Sequence, residues 1–230
     1  MPNWCDFSLT FYGDEECLQK LDEAITVPED EREEEDVFGR VDLDLTRPYP
    51  TPEELWNSPE LSSEALLAAT KNMVLEVGEP SFDGYTEEQK ALHEKCGAAS
   101  WWHWNVSNWG TKWAPDLSTY DPHGPNIYIT GLSAYAPPSK LIAKLTGLFN
   151  VKAVLSYSEP SMAFGGSEAF VNGKKVYDGH FDFSELQQEV PQPEGDDPVV
   201  WDDYHCRVED AIEEAIVSRE IEACRTLASL

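Results

Sequence analysis

The sequence predicts an α+β protein: an antiparallel sheet on the split β-α-β plan, with a helical insertion and a C-terminal helix. Three observations carry that expectation. A strand-like run at residues 4–12 is followed at once by a helical stripe, and the same strand-then-helix order returns after residue 126. Two further strands come next, and Asn172–Gly173 supplies the tight turn into a short edge segment. A long amphipathic stretch at 206–229 closes the chain.

In chain order, Trp4, Phe7, Leu9 and Phe11 lie among β-formers, and Gly13–Asp14 ends the first strand. Asp14 is the expected N-cap of the next helix. Glu15 and Glu16 suit its first turn, and Cys17, Leu18, Leu21, Ala24 and Ile25 make its apolar stripe before Pro28. The run EDEREEED at 29–36 reads as a solvated loop. Pro48, Pro50 and Pro52 hold off helix until Pro52 itself opens one. Short helices are expected at 62–74 and 86–96, the second started by a capping box from Thr86 and Gln89. Residues 127–130 read as a strand, and Pro137 and Pro138 open a helix carrying Leu141, Ile142, Leu145 and Leu148. Strands built on Val151, Ala153 or Val154, and Leu155, and on Ala169, Phe170 and Val171, follow. Strand–helix, insertion, strand–helix, strand–strand is the ferredoxin-like pattern once the insertion is set aside. The expected organisation is a domain over 1–190 with its insertion at about 37–98, a linker over 191–205, and an acidic helix over 206–230.

Charge is the outlier in composition. Forty-four acidic against sixteen basic side chains give a formal net charge of -28. Such a field disfavours direct nucleic-acid binding and anionic membranes, and favours basic partners. Five scattered cysteines without a Cys-x-x-Cys pair form neither a disulfide framework nor a metal site. The start lacks a basic and an apolar region, so no signal peptide is expected, and no run approaches a membrane span. The expected location is the cytoplasm, and the oligomeric state is left open.

WWHWNVSNWGTKW, residues 101–113, holds five of the eight tryptophans. Trp102, Trp104 and Val106 alternate as a strand does, with a turn at Asn108, Gly110 and Thr111 presenting Trp109 and Trp113. The segment serves either to seal the insertion against the sheet or to line a groove for a nucleotide-like ligand. A polymeric base-stacking platform fits less well, because Lys112 is the only cation among the rings.

Four stretches carry a family resemblance: MPNWCDFSLTFYG at the N-terminus, NWGTKW at 108–113, LSAYAPPSKLIAKL at 132–145 and YSEPSMAFGGSEAFVNGK at 157–174. Together they resemble the YubB or Api92-like proteins of plasmids and bacteriophages, over about residues 1–185. The resemblance implies a ferredoxin-like domain and brings no established biochemical role. Asp6 stands where that family more usually shows Asn, and SAYAPP replaces a more typical Thr-Ala-Trp-Ser-Pro-Pro run.

No catalytic constellation, cofactor or resident metal is expected. His93, His103, His123, His180 and His205 form no His-x-x-x-His pair, and no P-loop or Gly-x-Ser-x-Gly elbow occurs. The expected function is non-enzymatic: binding and inhibiting a host protein, one that holds nucleic acid or serves in defence, through an acidic DNA-mimic surface. Glu31, Glu33, Glu34, Glu35, Asp36, Glu209, Asp210, Glu213 and Glu214 would carry it. The alternative is a small-ligand binder using Trp104, Trp109, Lys112, Trp113 and Glu159. A metal-dependent enzyme around Asp202, Asp203 and His205 is the third reading. His180 with Asp182, and a nest at Gly165–Gly166–Ser167, are further candidates whose plainer account is a sheet edge and a close backbone approach.

Overall fold

Alternation along the N-terminal stretch makes β1 (Trp4–Tyr12), whose Cys5, Phe7, Leu9 and Phe11 point to one face and are buried. Each large side chain so buried contributes roughly 1.5–3 kcal/mol. The computed structural model describes residues 3–31, 42–74, 81–122, 124–193 and 198–230. Helix α1 (Glu15–Ile25) follows and buries Leu18, Leu21 and Ile25. Asp14 sits at its N-cap with extended backbone but makes no side-chain cap bond. A 3₁₀ turn (Glu29–Glu31) opens the acidic run, all three residues exposed.

The insertion supplies α2 (Glu53–Trp56), α3 (Ser63–Val74) and α4 (Glu87–Cys96). Thr86 and Gln89 close both bonds of the predicted capping box on α4. Next come α5 (Trp101–Asn108), β2 (Asp116–Asp121), β3 (Asn126–Ala134), α6 (Ser139–Phe149), β4 (Lys152–Glu159), β5 (Phe164–Val171), β6 (Lys174–Asp178), a short β7 (Phe181–Asp182) and α7 (Phe183–Glu189). Asn172 and Gly173, with φ of 51° and 79°, make the expected turn between β5 and β6. The last element is α8 (Pro198–Ala228), which begins eight residues before the predicted start.

The architecture is α+β, with an open antiparallel sheet in the order β2-β3-β1-β4-β5-β6 and β7 paired to β5. One face carries the main core: Phe7, Leu9 and Phe11 with Ile129, Leu155 and Phe170, against α1 and Leu141, Ile142 and Leu145 of α6. Leu148, expected on the α6 stripe, is half exposed. The other face is covered over β4, β5 and β6 by α8, where Ala223 and Leu227 meet Val154 and Ala169. Beneath that helix lies a polar latch. The Ser156 and Ser167 hydroxyls lie 2.8 Å apart, with Glu220 3.2 Å from Ser156 Oγ and the Ile216 carbonyl 3.4 Å from Ser167 Oγ, and the two hydroxyl protons are shared among these three contacts. No described helix is long and apolar enough to cross a membrane.

Candidate functional site

The tryptophan segment is a helix, α5, and not the alternating strand its spacing predicts. Ser100 starts it, its hydroxyl accepting the His103 amide at 3.2 Å, and His103, Trp104 and Asn105 form the buried side. Capping and burial at helical spacing outweigh the two-residue alternation. Trp104 packs 5.2 Å from Tyr49 and edge-on to Trp109 at 5.7 Å. The Trp109 indole donates to the Tyr49 carbonyl at 2.9 Å, and Trp101 stacks on Trp56 of α2. Asn105 accepts from Thr51 at 2.6 Å and donates to the Lys112 carbonyl at 3.0 Å. The segment therefore binds the insertion to the sheet.

Of the candidate ligand residues, Trp104 and Trp109 lie in the core, 5% and 2% exposed. Trp113 stays at the surface, with the Lys112 ammonium 4.5 Å over its ring and Trp4 6.5 Å away. Trp104 and Trp109 are thus enclosed, while Trp113 faces solvent. Glu159 is fully buried on β4: one carboxylate oxygen accepts the Met162 amide and the other has no partner among the described residues. Burial, with the Glu159 charge beside it, pushes the Cys5 thiol up to about 12.

Among the acidic candidates, Glu209, Asp210, Glu213 and Glu214 are exposed on α8. Glu31 pairs with Arg47 at 2.6 Å. Glu33, Glu34, Glu35 and Asp36 lie outside the described residues. Asp202, Asp203 and His205 are exposed near the start of α8, with Asp203 paired to Arg207 at 3.1 Å. No described group of three or more His, Cys, Asp or Glu is placed to hold a metal ion. Asp182 caps α7 through the Ser184 amide at 2.7 Å, whereas His180 contacts the Tyr157 hydroxyl at 3.3 Å. A Cβ on Gly166 would sit 2.8 Å from the Gly179 carbonyl, so the paired glycines serve a close backbone approach.

Two features escaped the sequence. The first is the bare half of the sheet on its α8 side, which no described helix covers. On the side where α8 covers β4, β5 and β6, the neighbouring strands show Trp4, Asp6, Tyr128, Asp116 and Asp121 exposed. Their common face was hidden because β2, with Leu117 as its one fully buried residue, gives almost no periodic signal. The second is a 590 Å³ cleft where Lys140 and Lys144, one turn apart on α6, face Tyr49 and Asn108. The Lys144 ammonium lies 4.5 Å over the Tyr49 ring, and Lys140 donates to the Val106 carbonyl at 3.4 Å. Among the described residues neither lysine pairs with a carboxylate.

No family model matches the chain, and no curated protein sequence matches it. Among solved structures the chain is similar to a protein Api92 from Yersinia pseudotuberculosis, described under the family model DUF1281. That likeness has 12% sequence identity and a TM-score of 0.42, over 79% of this chain and 98% of the other. It is a likeness of outline at a level on which nothing further is built.

Proposed function

We propose that the protein is a non-enzymatic, cytoplasmic accessory protein of the phage- or plasmid-encoded kind that occupies the nucleic-acid-binding surface of a basic host protein. One observation carries the reading: the row of acids on the first half of α8. Asp202, Asp203, Glu209, Asp210, Glu213 and Glu214 are all exposed, with Arg207 the single Lys or Arg among them. At ~1.5 Å per residue the row spans roughly 18 Å, or one net negative charge per ~3.6 Å. One DNA strand carries one phosphate charge per ~3.4 Å of helix axis. At ~100° per residue the six carboxylates fall within an arc of roughly 140°, away from the buried Tyr204 and Val208. A groove lined with lysine and arginine for one strand meets a similar charge density here.

The scaffold reading is ferredoxin-like, supported by the order β2-β3-β1-β4 and by α1 and α6 lying against one face. The phage or plasmid origin is supported by the motif resemblance over residues 1–185 alone. Capture of the tagged protein's partner from a bacterial lysate, followed by elution with duplex DNA, tests the reading. The expected partner is a basic nucleic-acid-binding protein released by DNA. A partner that stays bound in excess duplex sinks the mimicry.

A second reading rests on the Lys140–Lys144 cleft, which suits a small anion with a stacking group, such as a nucleotide. Trp104 packs on Tyr49, so a nucleotide bound there would quench tryptophan emission to saturation. Unchanged emission across a nucleotide panel would remove this reading.

A further inference from the structure

We infer that the bare half of the sheet docks a basic amphipathic helix of a partner protein, laid alongside α8. The surface is distinct from the acid row on the first half of α8, so it extends the basic-partner reading and stands or falls apart from it.

The space has the width of one helix. Strands ~4.8 Å apart make the β1-β3-β2 half roughly 14 Å across, and a helix with its side chains is ~10 Å wide. The sheet already accepts one helix on this side, over β4, β5 and β6. The border between the covered and bare halves is apolar. Val217 and Ile221 of α8 are 54% and 47% exposed, and with Cys224 and Ala228 they form the apolar floor of a 480 Å³ groove that Glu220 and Arg225 also line. Cys224 lies 3.9 Å from the Tyr12 hydroxyl, so this flank of α8 faces β1. Trp4 and Tyr128, each 41% exposed, offer apolar surface on the sheet itself. An occupant seated against both has a dry stripe to give and receive.

Charge selects which occupant that is. None of the three strands contains a lysine or arginine, while Asp6, Asp116 and Asp121 share the bare face. A second copy would bring another net charge of -28 against this face and be repelled. Single-stranded nucleic acid stacks on aromatic sheet faces only where cations track its backbone, and these strands supply none. A helix with a leucine-type stripe flanked by lysines matches the groove with its stripe and the aspartates with its flanks.

The test uses the full chain and two labelled 18-residue peptides of the same Lys and Leu composition, one amphipathic as a helix and one scrambled. Fluorescence anisotropy should show the amphipathic peptide binding at least tenfold more tightly than the scrambled one. Ser8→Lys with Thr119→Lys, on the bare face, should erase that preference. Glu209→Lys with Glu213→Lys, on the acid row, should keep it. Hydroxyl-radical footprinting of the unmodified protein should show Trp4 and Tyr128 reactive alone and protected by the amphipathic peptide, a readout that needs no variant. Equal binding of the two peptides, or an undiminished preference in the bare-face variant, would overturn the docking site while leaving the acid row's role standing. Trp4 and Tyr128 already protected in the free protein would overturn it too, because a second copy or another part of this chain would then hold the face.

Discussion

Burial lowers the His103 imidazole to about 4, and the charge of His93, stacked 5.8 Å away, adds to the effect. His103 Nδ1 accepts from the Ala99 amide at 3.4 Å, so the folded protein holds the neutral ring. In the unfolded chain the same ring protonates near 6.5. Protonation therefore favours unfolding: the contribution is complete above ~6.5 and is lost as pH falls toward ~4, roughly 3 kcal/mol in full. Urea melts of the wild type should show that loss, and His103→Gln should flatten the slope across this window. An equally steep slope in the variant would contradict the assignment. The tryptophans divide as sharply. Trp109→Ala removes a core ring and its bond to the Tyr49 carbonyl, and should cost about 3–5 kcal/mol. Trp113→Ala, at a surface position, should cost well under that, about 1 kcal/mol or less in the same melts.

At the scale of elements, local chemistry decides what was legible. Thr86 and Gln89 announced the start of α4 because both bonds of the capping box are made between near neighbours. Thr86→Ala should cost about 1 kcal/mol. Asp14→Ala, whose carboxylate makes no cap bond, should change stability by only a few tenths of that, and equal costs at both sites would show that cap geometry is not the cause. The alternation of β1, the stripe of α1 and the Asn172–Gly173 turn were readable for the same local reason. Three elements were not. The α5 helix hid behind a Trp-x-Trp-x-Val alternation, and its real determinants are a one-residue cap at Ser100 and packing on Tyr49 and Trp56, far off in sequence. The β2 strand is a polar edge whose register slips between Leu117 and Thr119, which breaks any period. The first turns of α8 follow a Pro- and Asp-rich stretch whose composition reads as linker, although Pro198 suits a helix start and Tyr204 and Val208 continue the buried stripe. Of the candidate site, the exposed acids of α8 were legible from helical spacing. The bare half-sheet was not, because it exists only once β2 is paired.

For the molecule as a whole, charge bears directly on stability. With a net -28, carboxylates repel one another across the surface, and the ion pairs at Lys20–Glu16, Lys90–Glu87 and Arg225–Glu222 are too exposed to offset much of that. Added salt should therefore raise the thermal midpoint, and a midpoint that falls with salt would show that attractive pairs dominate. The same field favours a basic protein over nucleic acid as the proposed partner. The acid row lies on α8, whose other side is held to the sheet by Ala223, Leu227 and the Ser156–Glu220 bond. The central claim is that this row does the binding. The most direct measurement is capture from a bacterial lysate with the wild type and with a variant carrying Glu209→Lys, Asp210→Lys, Glu213→Lys and Glu214→Lys, at low and at high salt. The expected result is one dominant nucleic-acid-binding protein held by the wild type at low salt, released at high salt, and lost from the folded variant at both. The same partner retained by the variant would contradict it.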